Sequence, residues 1–161
     1  MAGERKQQIL ETLAKMLEAP KREKITTASL AAKLEVSEAA LYRHFANKAQ
    51  MFEGLIAFIE ETIFGLINKI SSEETDGLRQ IQRTISMLLA FAEKNPGMTR
   101  VLIGDALVNE DDKLQVRINQ LYDRIEVTLK QSLRIAETQS SSKGDAEAQA
   151  NLIFCYVIGR W

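Results

Sequence analysis

The sequence predicts an all-α fold, on three observations. Apolar residues recur every three to four positions along most of the chain, the spacing of one helical face. No stretch alternates apolar and polar residues as a half-buried strand would. Only two prolines interrupt 161 residues dominated by Leu, Ile, Ala, Glu, Gln and Lys, all compatible with helix.

The helices follow in order. "ERKQQILETLAKMLE", residues 4 to 18, places Ile9, Leu10, Leu13, Met16 and Leu17 on one face. Ala19-Pro20 stops it, because proline disfavours a helical residue before it. Thr26 or Thr27 caps a second helix with Leu30, Ala31 and Leu34 inward, and Glu35-Val36 breaks it. Ser37 caps a third, with Glu38 in its first turn, where the helix dipole favours an anion, and Leu41 and Phe45 inward. Asn47 with Gln50 matches a capping box and starts a fourth helix that runs to about Ile70. Its apolar series is Phe52, Leu55, Ile56, Ile59, Ile63 and Ile67.

"SSEETDG" precedes a fifth helix, in which Leu78, Ile81, Ile85, Leu88, Leu89 and Ala92 recur, and "EKNPG" ends it. A short sixth helix lies in "MTRVLIGDALV". After "NEDD", the seventh carries Leu114, Ile118, Leu121, Ile125, Leu129 and Leu133 nearly in heptads. "TQSSSKGD" reads as a polar loop, and residues 145 to 161 as a last helix, truncated at "CYVIGRW".

Several function classes are disfavoured. The single cysteine, Cys155, allows no intrachain disulfide, and its apolar setting "NLIFCYVIG" predicts a buried small hydrophobe. No apolar run reaches the ~18 residues of a membrane span, and no signal peptide opens the chain, so a cytoplasmic protein without membrane contact is expected. An enzyme is not expected, nor a cofactor or metal site. His44 and Cys155 lie far apart in sequence, there is no glycine-rich phosphate loop, and Asp111-Asp112 reads as a helix start. Glu60 and Glu61 are adjacent on a helix and cannot face one site.

Charge and helix length point to the amino-terminal part instead. Residues 1 to 48 carry nine Lys/Arg against six Asp/Glu, while the whole chain has a net charge of −1. A basic head on an acidic body suits an anionic partner. The second and third helices are too short to be stable alone. Joined by a tight turn, they have the form of a helix-turn-helix, whose second helix can enter a DNA major groove. Residues 1–48 then form the DNA-binding head and 49–161 a helical body. Thr26 and Thr27 at a helix start, Tyr42, and Lys48 are candidates for phosphate contact. Glu38, Ala39 and Arg43, with Ser37 and Ala40 beside them, are candidates for base reading. A guanidinium can bond guanine, a carboxylate can accept from cytosine, and a methyl can pack on thymine.

"VSEAALYRHFANKAQMF" resembles the helix-turn-helix of the TetR family, above all in its Leu-Tyr-x-His-Phe-x-x-Lys core. The match spans residues 9 to 55. It implies a homodimer on double-stranded DNA, with His44 at the family's histidine near the phosphate backbone. "MFEGLIAFIEE", "EKNPGMTRVLIGDALV" and "RINQLYDRIE" extend the resemblance to one branch of that family, the nucleoid occlusion factors. That branch implies a nucleoid-associated protein that blocks division-ring assembly by binding the C-terminal tail of FtsZ. An apolar groove between helices four and five would receive the tail, lined by Phe58, Met87 and Phe91, with Lys94 attracting it and Asn95 bonding its backbone. The last two helices, with Leu129 and Leu133, would form the dimer interface. The rival within the family is a transcriptional repressor released by a small ligand, with Phe64, Met98, Tyr156 and Trp161 as candidate pocket residues.

Overall fold

Helix α1, Ala2–Leu17, opens the chain in the computed structural model, which describes residues 2–19, 24–141 and 144–161. It is followed by α2 (Thr27–Lys33), α3 (Glu38–Tyr42), α4 (Lys48–Glu73), α5 (Gly77–Lys94), α6 (Pro96–Leu102), α7 (Asp112–Ser140) and α8 (Ala146–Arg160). A single 3-10 turn lies at Asp105–Leu107, and no strand occurs among the described residues. The predicted stop at Pro20 lies outside the described residues.

The chain divides into two compact units. The first comprises Met1–Ile59 and Asn95–Val116, so the helix-turn-helix shares a unit with the first half of α4, with α6 and with the first turns of α7. Its core is Ile9, Leu13, Leu30, Leu41, Met51, Phe52, Leu55, Ile56, Val101 and Leu102, all nearly inaccessible. Helices α1 and α6 meet closely at Gly97, where an added Cβ would lie 2.0 Å from the Ala14 carbonyl oxygen. Arg100, one turn further along α6, donates through Nη1 to the Leu17 carbonyl at 2.9 Å and through Nε to Asp105 at 2.6 Å. A cation therefore satisfies a carbonyl left open at the carboxyl end of α1.

The second unit comprises Glu60–Lys94 and Arg117–Trp161. Ile63, Ile67, Leu88, Ile118, Leu121, Ile125, Leu129, Phe154 and Val157 fill its centre. Buried among them, Ser132 Oγ donates to Gln80 Oε1 at 2.9 Å, and Gln80 Nε2 donates to the Glu74 carbonyl, so both polar groups are satisfied. Tyr122, Phe154 and Trp161 form an aromatic cluster with ring centroids 5.2 to 6.3 Å apart. Trp161 Nε1 donates to the Leu88 carbonyl.

Several expectations need correction. Helix α4 continues through Ser71 and Ser72 to Glu73, and α7 continues to Ser140 through residues read as loop. Pro96 occupies the start of α6, where its missing N–H costs nothing, instead of merely ending α5. Leu78 is 63% exposed, because α5 turns Gln80, Ile81, Thr84, Leu88 and Phe91 inward. Cys155 is exposed, not buried. Around it residues 152–159 are apolar on every side, so periodicity does not identify the inner face, which is Ala146, Ala150, Phe154 and Val157. Leu129 and Leu133 are 1% and 7% exposed within the single chain, so they are core residues and not an open interface.

Candidate nucleic-acid interface

The helix-turn-helix is built by caps. Thr26 Oγ1 accepts from the Ser29 N–H, and Ser29 Oγ accepts from the Thr26 N–H, closing a capping box at α2. The chain reverses at Glu35, whose φ of +55° lies in the left-handed region. Ser37 Oγ then accepts from the Ala40 N–H and starts α3. At α4, Asn47 Oδ1 accepts from the Gln50 N–H, but Gln50 reaches back to the Ala46 N–H, one residue earlier than a standard box. Each short helix is thus fixed at its start, and α3 needs no length of its own.

A hydrogen-bonded chain links α2 to α3. Tyr42 donates its hydroxyl proton to Thr27 Oγ1 at 3.3 Å, and Thr27 donates its own to Glu38 Oε2 at 2.6 Å. Tyr42 is 45% exposed, and Ser37, Glu38, Ala39 and Arg43 are exposed beside it. Ala40 and His44 are half-buried, and the His44 N–H donates to the Leu41 carbonyl. The structure therefore brings together, on α2, α3 and the turns beside them, the residues that the sequence offers as candidates for DNA contact. It also assigns work to three of them in the free protein: Thr26 caps, Thr27 bridges, and Glu38 anchors the bridge.

Lys48 is held differently. Its Nζ lies 2.5 Å from Glu110 Oε1 and 5.6 Å above the Phe52 ring. The pair borders a cavity of about 470 Å³ whose lining includes Lys24, Phe52, Arg100 and Asp105. Sequence reasoning missed Glu110, which stands in the acidic stretch "NEDD" with no role of its own. No local spacing signals a partner 62 positions away.

The residues named for a partner groove spread further. A groove of about 590 Å³ between α4 and α5 is lined by Leu66, Lys69, Ile70, Glu73, Gln82, Arg83, Ser86 and Met87. Of the five residues proposed from sequence, Met87 is in this lining. Phe91 is 7% exposed, Lys94 is exposed at the end of α5, and Phe58 and Asn95 belong to the other compact unit. The residues offered for a ligand pocket are not gathered either. Phe64 lies beneath the Arg124 guanidinium, 3.9 Å away, Tyr156 is 58% exposed, and Trp161 packs against Tyr122 and Phe154. Met98 is in the first unit.

Residues 9–55 match the family described as bacterial regulatory proteins, tetR family, and residues 75–161 match the SlmA-like family described as tetracyclin repressor-like, C-terminal domain. A protein of Alteromonas mediterranea named nucleoid occlusion factor SlmA is 53% identical over 158 residues, covering 97% of this chain and 81% of that protein. The chain belongs to the SlmA branch of the TetR family. Relatives with the same name occur in Shewanella pealeana, 50% identical over 97% of this chain and 80% of the relative, and in a Marinomonas species, 54% identical over 84% of this chain and 68% of the relative. The TetR-family transcriptional regulator PfmR of Thermus thermophilus matches with a TM-score of 0.78, covering 95% of this chain and 85% of that one. At 23% identity that likeness speaks for the fold alone.

With the SlmA branch established, the shared unit of α1–α3 and α6 acquires a functional setting. Arg100, in a stretch that carries the resemblance, acts here on the carboxyl end of α1 and not on an open surface. Among the described residues no helix is long and apolar enough to cross a membrane.

Proposed function

We propose that this protein is a DNA-binding nucleoid occlusion factor, which holds back cell division over the chromosome. The observation that carries this reading is identity near 50% with SlmA proteins over almost the whole chain. The helix-turn-helix supplies the means. Tyr42, Arg43 and His44 face outward or partly so from a scaffold set by Thr26, Ser37 and Glu38. In this reading Arg43 and Ala39 meet base edges, Tyr42 and Lys48 meet phosphates, and residues 49–161 serve assembly and partner binding. The protein works by binding and not as an enzyme, at the nucleoid in the cytoplasm.

Two finer readings accompany it. The active species is a homodimer, since one head reads only a half-site. Its interface uses the outer apolar residues of α7 and α8: Val127 at 62%, Leu152 at 72% and Tyr156 at 58% exposure, large apolar groups left open in the single chain. The FtsZ C-terminal tail docks along α4 and α5, with Met87 as an anchor in the groove and exposed Lys94, at the end of α5, drawing an acidic segment by charge; Lys69 and Arg83 in the groove wall share Glu73. Phe58, Phe91 and Asn95 flank that path in sequence. Chromatin mapping tests the whole. Bound sites spread widely over the chromosome support division control, and a few promoter sites instead support a ligand-controlled repressor.

A further inference from the structure

Lys48 opens α4, at the edge of the DNA-facing surface, yet it is not an open charge. Its side chain is 21% exposed and its ion-pair partner Glu110 only 13%. The ammonium is bounded by the Phe52 ring on one side and the Glu110 carboxylate on another. Glu110 follows Asn109, which turns at φ +65°, just before α7 begins at Asp112. Arg100, lining the same cavity, is engaged elsewhere: it binds Asp105 and the Leu17 carbonyl. Asp111 and Asp112 add negative charge next to Glu110 in sequence, and Lys24 is an exposed member of the cavity wall.

We propose that Glu110 sets the DNA affinity of this protein by holding Lys48 as a neutral pair and withholding its charge from the phosphate backbone. The inference rests on the reading of Lys48 as a phosphate contact. A cation gains affinity for duplex DNA by releasing counterions from the phosphates. A Lys–Glu pair has no net charge and releases none. When a phosphate takes Lys48, it leaves a bare carboxylate that recruits a cation from solution, so the exchange cancels in the salt balance. Glu110 thereby weakens binding to every duplex alike, and a residue far from the helix-turn-helix in sequence controls how much of its affinity is electrostatic.

Four proteins test this: wild type, Glu110→Gln, Lys48→Ala and the double variant. Each is titrated against a fluorescent random-sequence duplex across a salt series, after melting curves verify folding. Glu110→Gln keeps the shape and an amide group while removing the charge. It should bind on the order of threefold or more tighter at low salt, with a log–log salt slope steeper by about 0.9 for each head engaged. Both gains should vanish in the double variant. A gain that persists without Lys48 is a general charge effect and overturns the proposal. Unchanged or weaker binding by Glu110→Gln, while Lys48→Ala binds less tightly than wild type, overturns it too but leaves Lys48 as a phosphate contact. If Lys48→Ala has no effect in either background, the phosphate reading fails and the proposal with it.

Discussion

Replacing Gly97 by alanine probes the support of the DNA-binding helices at a site that touches no DNA. The new Cβ would sit 2.0 Å from the Ala14 carbonyl oxygen, whereas real Cβ contacts essentially never fall under 3.0 Å. The obstacle is backbone and cannot rotate away, so α6 must retreat from α1 by roughly 1 Å or more. Overpacking of this kind costs about 1–3 kcal/mol. The retreat also stretches the hydrogen bond from Arg100 to the Leu17 carbonyl, worth about 1 kcal/mol after allowing for partial solvent exposure. A loss of about 3 kcal/mol corresponds to a melting point lower by about 6–12 °C in a chain of this size. Circular dichroism melts of Gly97→Ala read it directly. Gly65→Ala is the control: its Cβ meets nothing within 4 Å, and a helical alanine is favoured over glycine by about 0.5–1 kcal/mol. Equal melting points for Gly97→Ala and wild type would refute the close α1–α6 contact.

Other perturbations address other parts. Burial pushes the Tyr122 hydroxyl up to about 12 from the ordinary 10.0, so the folded chain holds that proton more tightly than the unfolded one. Its stabilising contribution is complete below pH 10 and is lost as pH rises towards 12; the wild-type minus Tyr122→Phe difference in urea midpoint should shrink over that window. Leu152→Glu with Tyr156→Glu should yield monomers with wild-type helicity and weakened site binding, and dimers persisting in sedimentation would place the interface elsewhere. Arg43→Ala should alter the preferred sequence in a binding-site selection, whereas Tyr42→Phe should weaken all duplexes alike.

Much of the fold was legible because its signals are local. Ser37, Thr26 and Asn47 announce their helices by side-chain caps that act within three residues, and all three caps form. Buried stripes such as Leu114, Ile118, Leu121 and Ile125 announce themselves by spacing. What escaped was set by tertiary partners. The run 152–159 of α8 is apolar on every side, so spacing does not choose its inner face or predict that Cys155 is exposed. Near-heptad spacing in α7 specifies a buried stripe but not whose core buries it, so it does not separate an interface role for Leu129 and Leu133 from the intrachain core position they take. The buried hydrogen bond from Ser132 to Gln80 joins residues 52 positions apart, which no local spacing announces. At the candidate interface the residue types were legible from α2 and α3, whereas the Thr27–Glu38 and Lys48–Glu110 bonds depend on chain reversals that periodicity does not encode.

The proposed function requires that a DNA-bound protein of this sequence engage the division machinery. The most direct test titrates a labelled FtsZ C-terminal tail peptide against the protein on DNA, beside a Met87→Glu variant whose helicity and DNA affinity are unchanged. Saturable binding by the wild type, lost in Met87→Glu and slowed by charge reversal at Lys94, is the predicted result. No binding of the peptide by wild-type protein that still holds its DNA would contradict the account, and leave a repressor controlled by a small ligand as the better reading.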